Sequence, residues 1–483
     1  MDERILITHS YFYRFDKKQW KAHRPYPPLG TLYAASLLRK NNFGVSFFDT
    51  CLAQDPTEII PEINRFKPSV LVIYDDGFNY LTKMCLTNMR QAAFELIKTG
   101  KDNGLTVIVS SSDSTDHYDE YLQKGADYII LGEGEMTLLE LLNELGKPAF
   151  DPAKIAGMAY MANQSAVKNS PRPVIESLDE LPFPAWDLAD LARYREIWKS
   201  HHGYFSLNLA TTRGCPYHCN WCAKPIYGYR YNSRSPENVV EEIKMLTSTY
   251  RADHFWFCDD IFGLKPGWIS RFRELVYENG LHFRYTIQSR ADLVIKANMA
   301  EDLAASGAEI VWLGAESGSQ KILDAMDKGQ TTDQIALARK KLKENGVQTG
   351  FFLQFGYPGE DYEDIRKTIR MLMDLMPDDV GISISYPLPG TVFHEKVRQE
   401  LQKKANWKDS DDLALMYIGT FSPSFYRRLH RYVHHIFRRK QKLKMFYSVL
   451  HGKKRARPAM LRDMLALAYY VPAVLYDRIM MKR

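Results

Sequence analysis

Three of the chain's six cysteines fall in the stretch ATTRGCPYHCNWCAKP, Ala210 to Pro225, as Cys215, Cys219 and Cys222. The C-x3-C-x2-C spacing puts three sulfurs on one short loop with Gly214 and Pro216 at its start. Structural zinc sites generally combine two ligand couples. This loop has no second couple, although His218 or Cys258 could complete a set. An odd number of thiols speaks against a disulfide, and the start MDERILITHSYF does not read as a secretory leader, so a reducing cytoplasm is expected. Four-iron clusters usually take four thiolates. A set of three leaves one iron open to a substrate or cofactor, which is what catalysis at a cluster requires.

The loop needs elements to position it, and the chain is long enough for two or three domains: 483 residues, 45% apolar and 13% aromatic. Residues 1–148 alternate strand and helix, with strands in RILITHS, VSFFDT, SVLVIYDD, TVIVS and DYIILG. Such a series predicts a doubly wound five-stranded parallel sheet, which binds ligands at the carboxyl ends of its strands. Residues 149–190 are proline-bearing and read as a linker closing on SLDELPFPAWDL. A second series, 191–400, runs from YFSLNLATT into the cysteine loop and on through HFWFCDD, FRYTIQS, EIVWLGAE, GFFLQFG and VGISISY. Six βα units predict a partial barrel. Residues 401–483 read as a basic helical region. The fold class is therefore α/β: a doubly wound sheet, a partial (βα)6 barrel and a helical tail.

A C-x3-C-x2-C loop after the first strand of a (βα)6 series, with the aromatic Trp221 before the last cysteine, resembles the radical S-adenosylmethionine (SAM) superfamily. The resemblance implies a [4Fe-4S] cluster on Cys215, Cys219 and Cys222. It implies SAM chelated at the open iron and cleaved reductively to a 5′-deoxyadenosyl radical. Matching positions for SAM contacts are Trp221, Asp259 and Asp260 after the second strand, Ser289 and Arg290 after the third, and Glu316 and Ser317 after the fourth. Gly356 and Pro387 occupy the turns after the fifth and sixth. Which carboxylate of the Asp pair faces SAM is open, and taken alone each residue suits capping or turn chemistry, a single carboxylate slightly better than it suits SAM; the ordered set behind the cysteine loop carries the reading. Cys258, inside a strand, reads as a core thiol.

YPPLGTLYAASLLRKNNFGVSFFDT and GADYIILGEGEMTLLELL are similar to the cobalamin-binding domain that precedes the radical SAM domain in one large subfamily, as is the LDELPFPAWD connector. The subfamily includes class B radical SAM methyltransferases and anaerobic tetrapyrrole cyclases. A corrin needs a broad face at the sheet's carboxyl edge, with small residues where backbone approaches it. Gly30, Thr31, Asp75, Gly132, Glu133 and Gly134 lie there, with Ser110, Ser111 and Ser112 for the nucleotide tail or corrin amides. No D-x-H-x-x-G supplies a histidine lower ligand, and SSSDSTDH stands where the subfamily commonly has a Gly-Gly-Pro-His type run.

The resemblance implies a methyltransferase acting on an unactivated carbon of a lipid or secondary-metabolite substrate, served by a flavodoxin or ferredoxin. The alternatives are a radical oxidative cyclase or ring-rearranging enzyme and, outside enzymes, a cobalamin-binding regulator; no residue is singled out as catalytic. Net charge is +6, yet Ser424–Arg483 holds sixteen Lys/Arg against Asp463 and Asp477, so the rest is acidic. No apolar run reaches the roughly 18 residues needed to span a bilayer. The last helix, with Arg462, Arg478, Lys482 and Arg483 flanking MLALAYYVPAVLY, suits peripheral contact with the inner face of a membrane or packing on the barrel. No appended RNA-binding module is evident, so no nucleic-acid partner is expected. His430, His434 and His435 read as a solvated basic face or as acid–base groups.

Overall fold

The computed structural model describes residues 4–84, 86–222, 226–401, 406–451 and 460–481. The five strands expected near the N-terminus form β1 (Arg4–Thr8), β2 (Gly44–Phe47), β3 (Val70–Tyr74), β4 (Thr106–Ser110) and β5 (Tyr128–Ile130), all parallel, in the order β2-β1-β3-β4-β5. The run Val70–Tyr74 is buried throughout, as a central strand covered on both faces requires. The presumed linker contributes more than connection. Its β6 (Met158–Ala162) and β7 (Ser165–Lys168) add an antiparallel hairpin to the β5 edge, making seven strands.

The second sheet holds β8 (Ser206–Leu209), β11 (His254–Phe257), β12 (Arg284–Ser289), β13 (Ala308–Glu316), β14 (Gln348–Phe355) and β15 (Asp379–Ile384). All six are parallel and neighbour in chain order, the open (βα)6 barrel that the alternation predicts. A two-stranded ladder of β9 (Thr212–Arg213) and β10 (Asn232–Ser233) clips together the two ends of the cysteine loop. Ser235 caps the next helix by accepting from Asn238 N, with Pro236 at its first position.

The two sheets share one hydrophobic core. Tyr33 and Phe78 of the first region and Leu209, Tyr227 and Val239 of the second belong to the same buried cluster. Polar ties cross the junction as well: Trp198 Nε1 donates to Pro25 O at 2.7 Å, and Asn208 Nδ2 donates to Pro27 O at 2.9 Å. Residues 406–417 then close over both carboxyl edges. Thr87 N donates to Trp407 O at 2.9 Å, the Trp407 ring lies 4.5 Å from Tyr386, and Tyr386 OH donates to Met84 O. Two long helices, Pro423–Leu450 and Met460–Met481, finish the chain.

Candidate active site between the two carboxyl edges

The cysteine loop leaves β9 at Gly214, whose φ of +79° no L-residue adopts cheaply. A Cβ there would meet Arg230 O at 2.2 Å, so the return of the loop passes directly against it. Cys215 and Cys219 are half-buried and Cys222 is exposed, all three free. Burial pushes the Cys215 thiol up, so a thiolate there needs a metal or cation to hold it.

Two cations supply the surroundings. Arg290, at the end of β12, lies 3.9 Å over the Tyr217 ring and sends Nη1 to within 3.9 Å of Cys219 Sγ. Its Nε donates to Asp292 at 2.8 Å and its Nη2 to Gly329 O at 3.1 Å. All three nitrogens therefore have partners in the protein, and the side chain braces the cysteine loop. Lys328 is the second cation, 5.5 Å from the Trp221 ring and 3.0 Å from Glu316 Oε1. Burial works against its charge, but Glu316 and Cys219 outweigh that and hold its pKa up.

Glu316 is aimed at this point by a local irregularity. The β13–β14 register shifts between Gly314 and Glu316, and Glu316 has a φ of +56°, rare for a residue with a side chain. Ser317, next to it, is fully buried and spends its hydroxyl on Thr368 Oγ1 at 3.0 Å. Ser289 Oγ donates to Phe262 O. Gly356 N donates to Glu360 Oε2 at 2.6 Å and Gly356 O accepts from Tyr417 OH, while Pro387 lies in the turn beyond β15.

The Asp pair divides its work. Asp259 is buried and accepts from Thr211 N at 2.7 Å and Thr212 N at 3.0 Å, which locks β8's exit into the cysteine loop. Burial pushes its pKa up to about 7. Asp260 is more open and pairs with Lys83 Nζ, which reaches across from the first sheet.

On the first sheet's edge, Ser110, Ser111, Ser112, Gly132, Glu133 and Gly134 line one cleft with Asp75 and Asp76. Its other wall is Ile226 and Tyr227, just beyond the cysteine loop. Several expected contact groups are already engaged. Thr31 Oγ1 donates to Tyr74 O at 2.6 Å, and Gly30 N donates to Asp76 Oδ1 at 3.0 Å. Asp75 accepts from Ser10 N at 2.6 Å and Ser10 Oγ at 2.8 Å, and burial pushes its pKa up to about 6. Glu133 is tied to Arg213 Nη1 at 2.5 Å and Ile175 N at 2.5 Å. Ser111 caps the following helix.

Lys83, Lys328, Arg213 and Tyr227 are the functional-site neighbours that sequence reasoning does not find. Each acts across a long sequence separation, and a lone Lys, Arg or Tyr carries no spacing signal. His430 and His434 are not the solvated pair expected: they are half-buried, 4.6 Å apart, and burial lowers them to about 4 and about 3, so both are neutral. His435 Nδ1 lies 2.8 Å from Asp477 Oδ2.

A model of the radical SAM superfamily matches residues 209–372, from the last residue of β8 to the helix after β14. These residues therefore form a radical SAM domain. The chain is 29% identical over 391 residues to an uncharacterized methyltransferase of Pyrococcus horikoshii, covering 79% of this chain and 81% of that one. It is 26% identical over 385 residues to the anaerobic magnesium-protoporphyrin IX monomethyl ester cyclase of Rubrivivax gelatinosus, covering 78% and 67%. Its fold is that of the cobalamin-dependent S-adenosylmethionine radical enzyme OxsB with aqua-cobalamin bound, at a TM-score of 0.76 and 17% identity, over 99% of this chain and 72% of that one.

The radical SAM domain takes a [4Fe-4S] cluster and SAM, and the loop's donor set fits them. Among the described residues no three His, Cys, Asp or Glu side chains converge on a single ion. A cubane places each thiolate on a different iron, so it spreads its ligands more widely than a zinc ion does. Neither alternative zinc ligand converges with the three cysteines: the His218 ring stacks on Tyr229 at 4.6 Å, and buried Cys258 directs Sγ to Leu209 O. The Trp221 Nε1 and Gln330 Oε1 atoms are buried without partners at this level of the barrel, as groups awaiting a bound molecule would be.

The cleft floor fits a corrinoid in the same sense. Ser112 Oγ is buried without a partner. A Cβ on Gly134 would meet Ser110 Oγ and the Tyr74 ring at 2.8 Å, so only glycine leaves that floor flat. Facing the opposite wall, a Cβ on Gly77 would meet Tyr227 OH at 2.7 Å.

Proposed function

We propose that this chain is a cobalamin-dependent radical SAM methyltransferase that acts on an unactivated carbon of a small molecule, a lipid or a secondary metabolite. One observation carries the reading: the carboxyl edges of a cobalamin-type sheet and of the SAM barrel face each other, joined by Lys83 and Asp260. When bound, the cluster with SAM supplies a hydrogen-abstracting carbon radical, and cobalamin supplies a transferable methyl group. Everything else is positioning by the protein.

In this reading residues 191–400 form the radical SAM unit and residues 1–148 the cobalamin unit. Cys215, Cys219 and Cys222 hold the cluster. Arg290 and Lys328 place positive charge beside the thiolates, and Trp221, Asp260 and Glu316 border the SAM pocket. Asp259, Ser289, Ser317, Gly356 and Pro387 shape that pocket through backbone contacts and turns. Ser110, Ser112, Gly132 and Gly134 form the cobalamin floor, while Gly30, Thr31, Asp75, Ser111 and Glu133 hold the loops around it. Tyr386, Trp407 and Tyr417 roof the junction and keep water out. A flavodoxin- or ferredoxin-like donor in a reducing cytoplasm supplies the electron.

The test is turnover under strict exclusion of oxygen with SAM carrying a labelled methyl group. Label in product supports methyl transfer. A second reading, a radical oxidative cyclase, is favoured by the similarity to the Rubrivivax cyclase. It gains if substrate is consumed and SAM is cleaved with no label in product. Absence of SAM cleavage despite an intact cluster would favour a cobalamin-binding regulator.

A further inference from the structure

The last helix, Met460–Met481, is built with two unlike faces. At about 100° per residue, Tyr470, Val474 and Asp477 fall on one side, and there the helix meets Pro423–Leu450. Val474 is 7% exposed and Asp477 2%. The buried Asp477 is matched by His435 at 2.8 Å and Arg431 at 3.8 Å, and Arg428 Nη1 donates to Met480 O. These ties fix which face points outward.

The outward face is apolar where a solvated helix would be polar. Tyr469, Val471, Leu475, Tyr476 and Ile479 are between 49% and 61% exposed, and the exposed Pro472 lies among them. Scattered exposed apolar residues need no explanation, but one continuous face of them does. Leu443 and Tyr447 of the partner helix are likewise about half exposed.

The charge carried by the helix pair itself is predominantly of one sign, with Asp379 of the barrel paired to Arg438. Ser424–Arg483 carries sixteen basic residues, and its two acids are Asp463 and Asp477. Asp477 is already matched internally, so it lends no negative charge to the surface. Arg427, Arg431, Lys440, Lys444 and Arg478 are exposed on the same helix pair. Arg462's side chain, Lys482 and Arg483 lie outside the described residues. A cationic surface opposes pairing with a second copy of itself, whereas an anionic lipid surface satisfies both the charge and the apolar face. No described helix is long and apolar enough to cross a membrane.

We infer that the C-terminal helix pair docks the enzyme on an anionic phospholipid surface, with the Val471–Leu475–Ile479 face of the last helix set into the headgroup boundary and the surrounding Lys and Arg on the phosphates. This inference stands on the helix pair alone and does not require the methyltransferase reading. If both hold, the active site works beside a bilayer, and its substrate class is an amphiphile that enters from the membrane.

The experiment is co-sedimentation of the full-length, cluster-loaded protein with phosphatidylcholine vesicles, with and without phosphatidylglycerol. The expected result is at least about tenfold tighter binding to the anionic vesicles, lost at about 1 M salt as screening shortens to about 3 Å. The L475S/I479S variant should lose vesicle binding at low salt while cleaving SAM as the wild type does, which shows that it is folded. R478Q/K444Q should keep a weak, salt-insensitive binding. Equal failure of wild type and variants to sediment with anionic vesicles overturns the inference. So does light scattering that shows a wild-type dimer converted to monomer by L475S/I479S, since a second copy would then cover the face.

Discussion

Arg213 donates Nη2 to Glu135 Oε1 at 2.8 Å, across the junction between the barrel and the first sheet, with both side chains almost wholly buried. Glu133 takes the other arm, and the rings of Tyr33, Phe78 and Tyr227 lie 5.1 to 5.4 Å from the guanidinium. Because β9 carries Arg213 straight into the cysteine loop, this pair fixes the height of that loop against the carboxyl edge of the first sheet. Arg213→Met leaves two carboxylates buried without a counter-charge, which costs about 3–5 kcal/mol. The expected outcome is a fall in melting temperature with no loss of SAM cleavage per folded, cluster-loaded molecule, checked by calorimetry and by iron-normalised 5′-deoxyadenosine formation.

Replacing Cys219 with Ala removes one of three cluster ligands, so iron content and reductive SAM cleavage should both fall to background. Cys258→Ala is the control. Its sulfur is buried against Leu209 O, so the variant should keep the cluster and lose only packing, about 1 kcal/mol. Loss of the cluster in Cys258→Ala would mean that this thiol is a ligand after all.

Arg290→Lys keeps the charge but loses the planar fork that joins Asp292, Gly329 O and the Tyr217 face. The cluster should then be held less firmly. The expected signature is a changed electron paramagnetic resonance spectrum of the reduced cluster and faster iron loss to a chelator, larger than any change in SAM affinity. If SAM affinity falls while the spectrum and iron retention are unchanged, Arg290 contacts SAM rather than bracing the loop.

Glu360 is fully buried, accepts from Gly356 N at 2.6 Å, and has its other oxygen without a partner. Burial raises its pKa to about 8. A carboxyl raised in the folded state binds its proton more tightly there than in the unfolded chain. Its contribution to stability is therefore complete below the ordinary carboxylate range and is lost as pH rises through about 8. Between pH 5 and 9 the wild type should lose stability relative to Glu360→Gln, by a few kcal/mol on the order of magnitude. Parallel melting-temperature profiles for the two proteins would show that Glu360 is ionised throughout.

Much of this architecture is legible in the sequence because it is local. The C-x3-C-x2-C spacing, the buried run Val70–Tyr74 and the Asp259–Asp260 pair at a strand end are all signals within a few residues. The hairpin β6–β7 is hidden because prolines around it mask two short strands that gain their partners only from β5. The pairs that set the site's geometry lie further out of reach. Lys83 and Asp260 are 177 residues apart and Arg213 and Glu135 are 78 apart, and only the closed fold brings them together. The opposite error arises for residues chosen by position. Glu133 and Arg290 do stand at the expected strand ends, and Thr31 lies in a helix beside the end of β3, but their polar atoms already have partners in the protein.

Ser112 tests the proposed cobalamin edge most directly, because its hydroxyl is buried and partnerless on the cleft floor. In the protein without cobalamin, Ser112→Ala removes a polar group that gains nothing from burial, so stability should be unchanged or slightly higher. In the loaded protein the same change removes a hydrogen bond, and affinity for hydroxocobalamin should fall by about 0.5–1.5 kcal/mol, a few-fold to about tenfold. Titration followed by absorbance, with melting temperatures taken in both states, reads the two effects separately. A loss of stability without cobalamin would mean that the hydroxyl has a structural partner. Unchanged affinity would mean that cobalamin binds elsewhere on this edge or not at all.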